Sequence, residues 1–296
     1  MAATAASVVV RPVAPEQASL WSDGWRRLRR NRLALIATVF LVLVVAVALV
    51  AVFWTPYRMS AVGVTDPYAG PSLQHPLGAD NLGRDTLSRL MVGAQISLIV
   101  GVGTQVLVLL VGVPIGLIAG YYRGWLDSVV TFLINVFYGI PDLLVALILV
   151  FLLGPSLKNI IIAIVATRWM DMARLVRGQT LSLREREFIE AARAAGARPF
   201  KILFGHILPN ALGPILVQAT FGIPSAILFE AFLSFLGVGI QPPEPSWGSM
   251  AKDGVDAIRF APIMVIAPSI ALSLTLMAFN FLGDGLRDAL DPRSRR

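Results

Sequence analysis

Four ionisable side chains lie inside otherwise apolar stretches of this chain: Asp142, Arg168, Asp171 and Glu230. Charge held away from water is costly, so such residues serve as solute contacts, as ion or proton relays, or as partners that satisfy one another. The sequence offers little other chemistry. Cysteine is absent and the two histidines, His75 and His206, lie far apart, which leaves no thiol chemistry and no His/Cys metal site. There is no GxxxxGK[ST] loop to cradle nucleotide phosphates, no HExxH pair for zinc and no Ser–His spacing for a nucleophile.

Each of the four carries two readings. Arg168 and Asp171 stand at i and i+3, so they either pair on one helix face or leave Arg168 to meet a carboxylate on a solute. Asp142 follows Pro141 and either relieves the proline-disturbed backbone or touches a solute. Glu230 is an interhelical hydrogen-bond anchor or part of a cavity lining. His206 is expected to pack at a helix end.

The elements that position these residues follow from hydropathy. Of 296 residues, 56% are hydrophobic and 15% charged, too few charges to cover a water-soluble fold of this size. Mean hydropathy is +0.73. The sequence therefore predicts an all-α, polytopic membrane protein. Six runs reach the roughly 20 apolar residues that a span requires: Leu33–Trp54, Ile96–Ala119, Val129–Leu153, a more polar Leu157–Leu175 carrying Arg168 and Asp171, Ala211–Phe235 and Pro262–Leu282.

The block WRRLRRNR before the first run places the N-terminus in the cytoplasm, and six spans return the C-terminus there. About 18 of the 25 Lys and Arg fall on inferred internal segments, with Arg168 among them, as the positive-inside rule requires. The net charge of +7 thus reflects topology, and no interleaved aromatic and basic motif points to nucleic acid. The opening MAATAASVVVRPVAPEQ reads as a loose tail, its apolar part too short for a signal peptide. In DTLSRLMVGA, Leu87, Leu90, Met91 and Ala94 share a helical face, which predicts a surface-lying helix before the second span. Asp284, in LGDGLRD, suits a helix-terminating turn better than an intramembrane aspartyl protease.

Between the fourth and fifth runs, EREFIEAARAA has helical composition, Gly196 supplies a turn, and Pro199 suits the first turn of a short helix Phe200–Gly205, closed by Pro209. Ala191, Ala192, Ala194 and Ala195 give this helix–turn–helix a small face. Arg184, Arg186, Arg193, Arg198 and Lys201 give it a basic rim. Such a module either docks a partner closely or is a basic loop against anionic lipid.

The order Glu190-Ala191-Ala192, three residues, Gly196, nine residues, Ile207-Leu208-Pro209 resembles the EAA loop of ATP-binding-cassette importer permeases. LGADNLGRDTLSRLMVGAQISL (Leu77–Leu98), LSFLGVGIQPPEPSWGSM (Leu233–Met250) and FNFLGDGLRDALDPR (Phe279–Arg293) are similar to the dipeptide, oligopeptide and nickel branch, in its second or C-type permease subunit. Ala79 stands where that branch usually has Thr or Ser, and Arg168 and Asp171 where it more often has small or apolar residues.

The resemblance implies the type I importer fold of six spans and a coupling helix seated in a cytoplasmic ATPase through Glu190, Ala191, Ala192, Gly196, Arg198 and Pro199. It further implies a homologous second permease, two ATPases that use ATP and Mg, and an extracytoplasmic solute-binding protein. Trp247 either touches that binding protein or anchors its loop at the membrane interface. This chain itself would bind no cofactor and catalyse no bond chemistry. The substrate would be a di- or oligopeptide, or alternatively a nickel complex or another small solute, moved by alternating access across a bacterial plasma membrane. The corresponding division is a cytoplasmic tail over 1–32, a first span over 33–54, an extracytoplasmic loop over 55–94, a core over 95–286 with the coupling loop 184–210 and an outer loop 237–259, and a cytoplasmic tail over 287–296. The rival from a different class is a secondary transporter relaying charge through Asp142, Arg168, Asp171 and Glu230.

Overall fold

The computed structural model describes residues 26–290. The expectations for the start of the N-terminal tail and for the last six residues lie outside them. No strand occurs among the described residues beyond one isolated bridge, Ala79 to Asp85. The principal helices are α1 (Arg32–Phe53), α2 (Thr86–Tyr122), α3 (Gly124–Tyr138), α4 (Asp142–Leu153), α5 (Leu157–Leu183), α6 (Glu187–Ala194), α7 (Pro199–Ile202), α8 (Leu208–Phe235), α9 (Trp247–Asp256) and α10 (Ile263–Leu290). A π-helical turn, Leu203–Ile207, joins α7 to α8.

Four stretches are long and apolar enough to cross a membrane: α1, α2, the run from α7 through α8, and α10. The expected third span is not one helix. Its two halves, α3 and α4, meet at 88°. Pro141 has no N–H to donate and pushes the residue before it out of the helical region, so Gly139-Ile140-Pro141 breaks the run. The expected fourth span is α5, 27 residues and about 40 Å long, yet too polar to qualify on composition.

Three further expectations are corrected. DTLSRLMVGA does not lie on a surface as a separate helix. It forms the first turns of α2, a helix of 37 residues and about 55 Å. No glycine or proline interrupts that run before Gly93, and Ser88 and Arg89 are buried by the preceding loop instead of facing water. Pro209 does not close the second short helix. It sits in the first turn of α8, where a missing N–H costs nothing. Asp284 ends no helix, because α10 continues to Leu290.

Side chains set the helix starts. The Asn31 amide oxygen accepts the Ala34 N–H at 3.1 Å, Asp85 accepts Ser88 N–H at 2.7 Å, and Ser156 accepts Asn159 N–H at 3.2 Å. The centre of the fold is the contact of α2 with α5. Gly112, Gly116 and Gly120 recur every four residues on α2, and a Cβ at each would fall 2.6–2.8 Å from Met172, Ala173, Val176 or Thr180 on α5, or from its backbone. Small residues at this spacing let two backbones approach within a membrane. A Gly116→Val variant is accordingly expected to lose about 1–3 kcal/mol through overpacking, visible as a lower melting temperature in detergent; an unchanged melting point would contradict this packing.

Candidate translocation face and docking module

The polar residues of α5 form a ladder. Arg168, Asp171, Arg174 and Arg177 follow one another at intervals of three, and each meets a partner on the bent pair α3–α4. Arg168 Nη2 lies 3.0 Å from Asp142 Oδ2, and its guanidinium rests 5.1 Å from the Phe229 ring centre. The Tyr138 hydroxyl donates to Asp171. Arg174 stacks on the Tyr138 ring at 4.1 Å and donates to Asn135 Oδ1 at 3.4 Å. Arg177 makes a forked contact with Asp127.

The expected i, i+3 pairing of Arg168 with Asp171 is therefore not what forms. At the 88° bend Asp142 offers Arg168 a carboxylate from the neighbouring helix, and Tyr138 takes Asp171. Of the two readings of Asp142 the backbone one is what forms, its Oδ1 accepting the Leu143 N–H at 2.9 Å, while Oδ2 is taken by Arg168, a partner within the chain that neither reading named. Asp142 and Arg168 keep 48% and 32% of their side chains exposed, so this face is open. Tyr138, Asn135, Arg174, Arg177 and Asp127 escape a residue-by-residue reading; the three-residue spacing along α5 is the signal that reveals them.

Glu230 is not part of an open lining. It is fully buried, and its Oε1 accepts the Ser234 hydroxyl at 2.5 Å. Ser234 Oγ also accepts the Ile240 N–H at 3.2 Å and lies 3.4 Å from Ser246 Oγ, the N-cap of α9. Glu230 thus holds the loop after α8 through Ser234 of its own helix, in place of the expected direct bond between helices. Trp247, a candidate contact for a soluble partner, is only 2% exposed. Its ring packs among Ala94, Leu98, Ile227 and Phe279, and its Nε1 donates to the Leu90 carbonyl at 3.1 Å. The indole is an internal wedge, so it is placed neither to touch a soluble partner nor to anchor the loop at the membrane interface.

The loop before α2 is equally self-satisfied. Asp80 accepts from Arg84 Nε at 2.6 Å and lies 3.4 Å from Arg89 Nε, while His75 Nδ1 is 2.9 Å from Asp85 Oδ1. Burial raises the carboxyl of Asp253, on α9 beside Arg89, above the usual carboxylate range, with Arg89 and Arg84 opposing the shift. These charges bind the loop before α2 to α9.

At the opposite end of α2 and α5, α6 and α7 form the anticipated helix–turn–helix. Gly196 has φ +78°, its N–H donates to the Arg193 carbonyl at 2.9 Å, and the Ala197 N–H donates to the Ala192 carbonyl at 3.0 Å. This is the Schellman pattern that only glycine adopts without strain. Ile189, Ile202, Leu203 and Ile207 are buried against Leu117, Met172 and Val176, so the module is seated on the core. Arg184 donates to the Tyr121 carbonyl at the end of α2, and Arg123 pairs with Glu185 at 2.9 Å.

Outward, Glu190, Ala191, Gly196, Arg198 and Pro199 are exposed and Ala192 is half-buried. A Cβ on Gly196 would meet nothing within 4 Å. Phe200, 71% exposed, stacks on Phe204 with ring centres 4.5 Å apart, an aromatic pair at the edge of the alanine face. His206 is half-buried in the π-turn, consistent with packing at a helix end.

Residues 112–296 match the family described as binding-protein-dependent transport system inner membrane component. The chain belongs to that family. Residues 19–76 also match the N-terminal transmembrane domain of oligopeptide transport permease C. Among curated relatives, the dipeptide transport system permease protein DppC of Bacillus subtilis is 44% identical over 94% of this chain and 87% of its own length. The oligopeptide transport system permease protein OppC of the same organism is 41% identical over 96% and 93%. The glutathione transport system permease protein GsiD of Escherichia coli O6:K15:H31 is 44% identical over 95% and 93%. A chain of the MetNI methionine ABC transporter in an inward-facing conformation shares the fold, with a TM-score of 0.58 at 21% identity over 69% of this chain and 96% of that one. This family of membrane permeases carries solute, and ATP hydrolysis belongs to separate subunits, so the chain is not an enzyme.

Proposed function

We propose that this chain is the C-type permease subunit of an ATP-driven importer of short peptides, and that α6–α7 is the helix pair through which a cytoplasmic ATPase drives it. One observation carries the reading: in a member of this permease family, an exposed alanine-faced helix–turn–helix with a bare glycine at its tip is fixed to the core at the shared end of α2 and α5. A partner can approach such a surface closely. Because Ile189 and Ile207 are buried, a push on the module reaches the spans as a rigid displacement.

In this reading α1, α2, the bent pair α3–α4, α5, α8 and α10 make six passages. The N- and C-termini are cytoplasmic, placed there by the basic block before α1. A homologous second permease faces the ladder on α5, since a charged face this open is untenable against lipid. Two ATPases hydrolyse ATP with Mg below, and a binding protein delivers solute above. The dipeptide, oligopeptide and glutathione systems of the relatives support a peptide substrate.

The test is reconstitution of the chain with its second permease, both ATPases and the binding protein in vesicles. Uptake of radiolabelled dialanine is expected with ATP and not with a non-hydrolysable analogue. Uptake driven by an ion gradient without ATP would instead establish the secondary-transporter reading.

A further inference from the structure

The ladder on α5 is not uniformly satisfied. Arg168 has Asp142 and Arg177 has Asp127, but the two rungs between them hold opposite charges without ionic partners among the described residues. Asp171 has only the neutral Tyr138 hydroxyl, and Arg174 only the Tyr138 ring and the Asn135 amide. Asp171 is half-buried and Arg174 exposed, so both can be reached. They stand at i and i+3, about 5–6 Å apart at Cβ, yet they do not pair with each other. Tyr138 lies between them, binding one through its hydroxyl and the other through its ring face, and so holds them side by side. The outer ion pairs lock the bent helices to α5 on both flanks. Along the ladder three arginines face three aspartates, so its total charge is zero.

The geometry points to Asp171 and Arg174 as the specificity-determining pair for a zwitterionic solute, Asp171 taking its ammonium and Arg174 its carboxylate. A neutral face excludes no solute by net charge, and two unpaired opposite charges reward one that carries both. The ends of a dipeptide lie about 7 Å apart when extended, a span that neighbouring rungs accommodate. Both contacts are charge-assisted hydrogen bonds, and the guanidinium can grip a carboxylate with two parallel N–H groups. Arg168, sealed by Asp142, is a positioning residue that fixes the bend. This inference rests on the importer reading, which places the ladder beside the solute path.

The absence of native cysteine permits a direct test. Ile140→Cys puts one thiol at the exposed break between α3 and α4. In the fully assembled complex without ATP, maleimide labelling of this chain is measured against dialanine, N-acetyl-dialanine and dialanine amide. Dialanine is expected to slow labelling at concentrations at least tenfold lower than either blocked peptide. Asp171→Asn should reduce dialanine to the level of the N-acetyl peptide, and Arg174→Gln to that of the amide, with Arg174→Lys recovering part of the difference. A merely structural role would change all three peptides alike. Equal protection by all three in the parent, no protection by any, or an introduced thiol that reagent cannot reach in the complex would each overturn the proposal. Failure of the importer reading shows separately, as a complex that forms without an ATPase or takes up dialanine without ATP.

Discussion

A Gly196→Asp variant should accumulate in the membrane at close to the parental level and yet bring down at least tenfold less ATPase. Gly196 occupies the left-handed region at φ +78°, where an ordinary residue pays about 1–2 kcal/mol, but aspartate visits that region more readily than most. A Cβ there meets nothing within 4 Å, so no clash inside the chain accompanies the change. Ile189, Ile202 and Ile207 stay buried and continue to hold the module on α2 and α5. What changes is the outer face, where a charged side chain now stands between alanines that a partner must approach. A tenfold loss corresponds to about 1.4 kcal/mol, which a single misplaced carboxylate readily supplies. Gly196→Asn, of similar shape without charge, should lose less. If the Gly196→Asp chain recovers as much ATPase as the parent, the module is not the docking surface and the basic-loop reading returns.

Trp247→Ala should cost about 3–5 kcal/mol, the usual range for removing a buried tryptophan, and deplete the folded chain from the membrane. The indole is the wedge where α9 meets α2, α8 and α10, and a Cβ on Gly93 would already lie 3.0 Å from it. Its neighbour Gly248 is held so tightly that a Cβ there would come within 2.4 Å of Ala231 Cα. The region therefore cannot close over a void without moving α8. Trp247→Phe should retain most of the packing and lose about 1 kcal/mol with the bond to the Leu90 carbonyl. Thermal melting of the purified complex reads both. A Trp247→Ala chain that melts like the parent and loses only uptake would restore the exposed-contact reading.

The contrast between these two sites shows what the sequence makes legible. The helix–turn–helix can be read because its signals are local: helical composition, a glycine at the turn and a proline three residues later fix backbone geometry over a short stretch of chain. The first, second and last membrane helices are likewise visible from hydropathy alone. Trp247 cannot be placed from sequence, since whether a tryptophan in a Pro- and Gly-rich loop points in or out is decided by α2 and α8, of which α2 is far away in the chain. The partner of Arg168 is hidden for the same reason. The i, i+3 rule favours Asp171, but the break at Pro141 swings Asp142 onto α5 and wins the contact. α5 itself departs from an ordinary span because Arg168 and Arg177 are paired from the preceding helices, which no window over α5 alone contains.

The most direct measurement uses the chain's lack of cysteine. One thiol is introduced at Ala194 in the exposed face of α6, and a second variant carries one at Val62 in the loop before α2. Each is purified in the full complex and treated with a short bifunctional thiol–amine cross-linker. An adduct of this chain with the ATPase is expected from Ala194→Cys, changing in yield when ATP is added, and none from Val62→Cys. An ATPase adduct absent at Ala194 and present at another surface would contradict it.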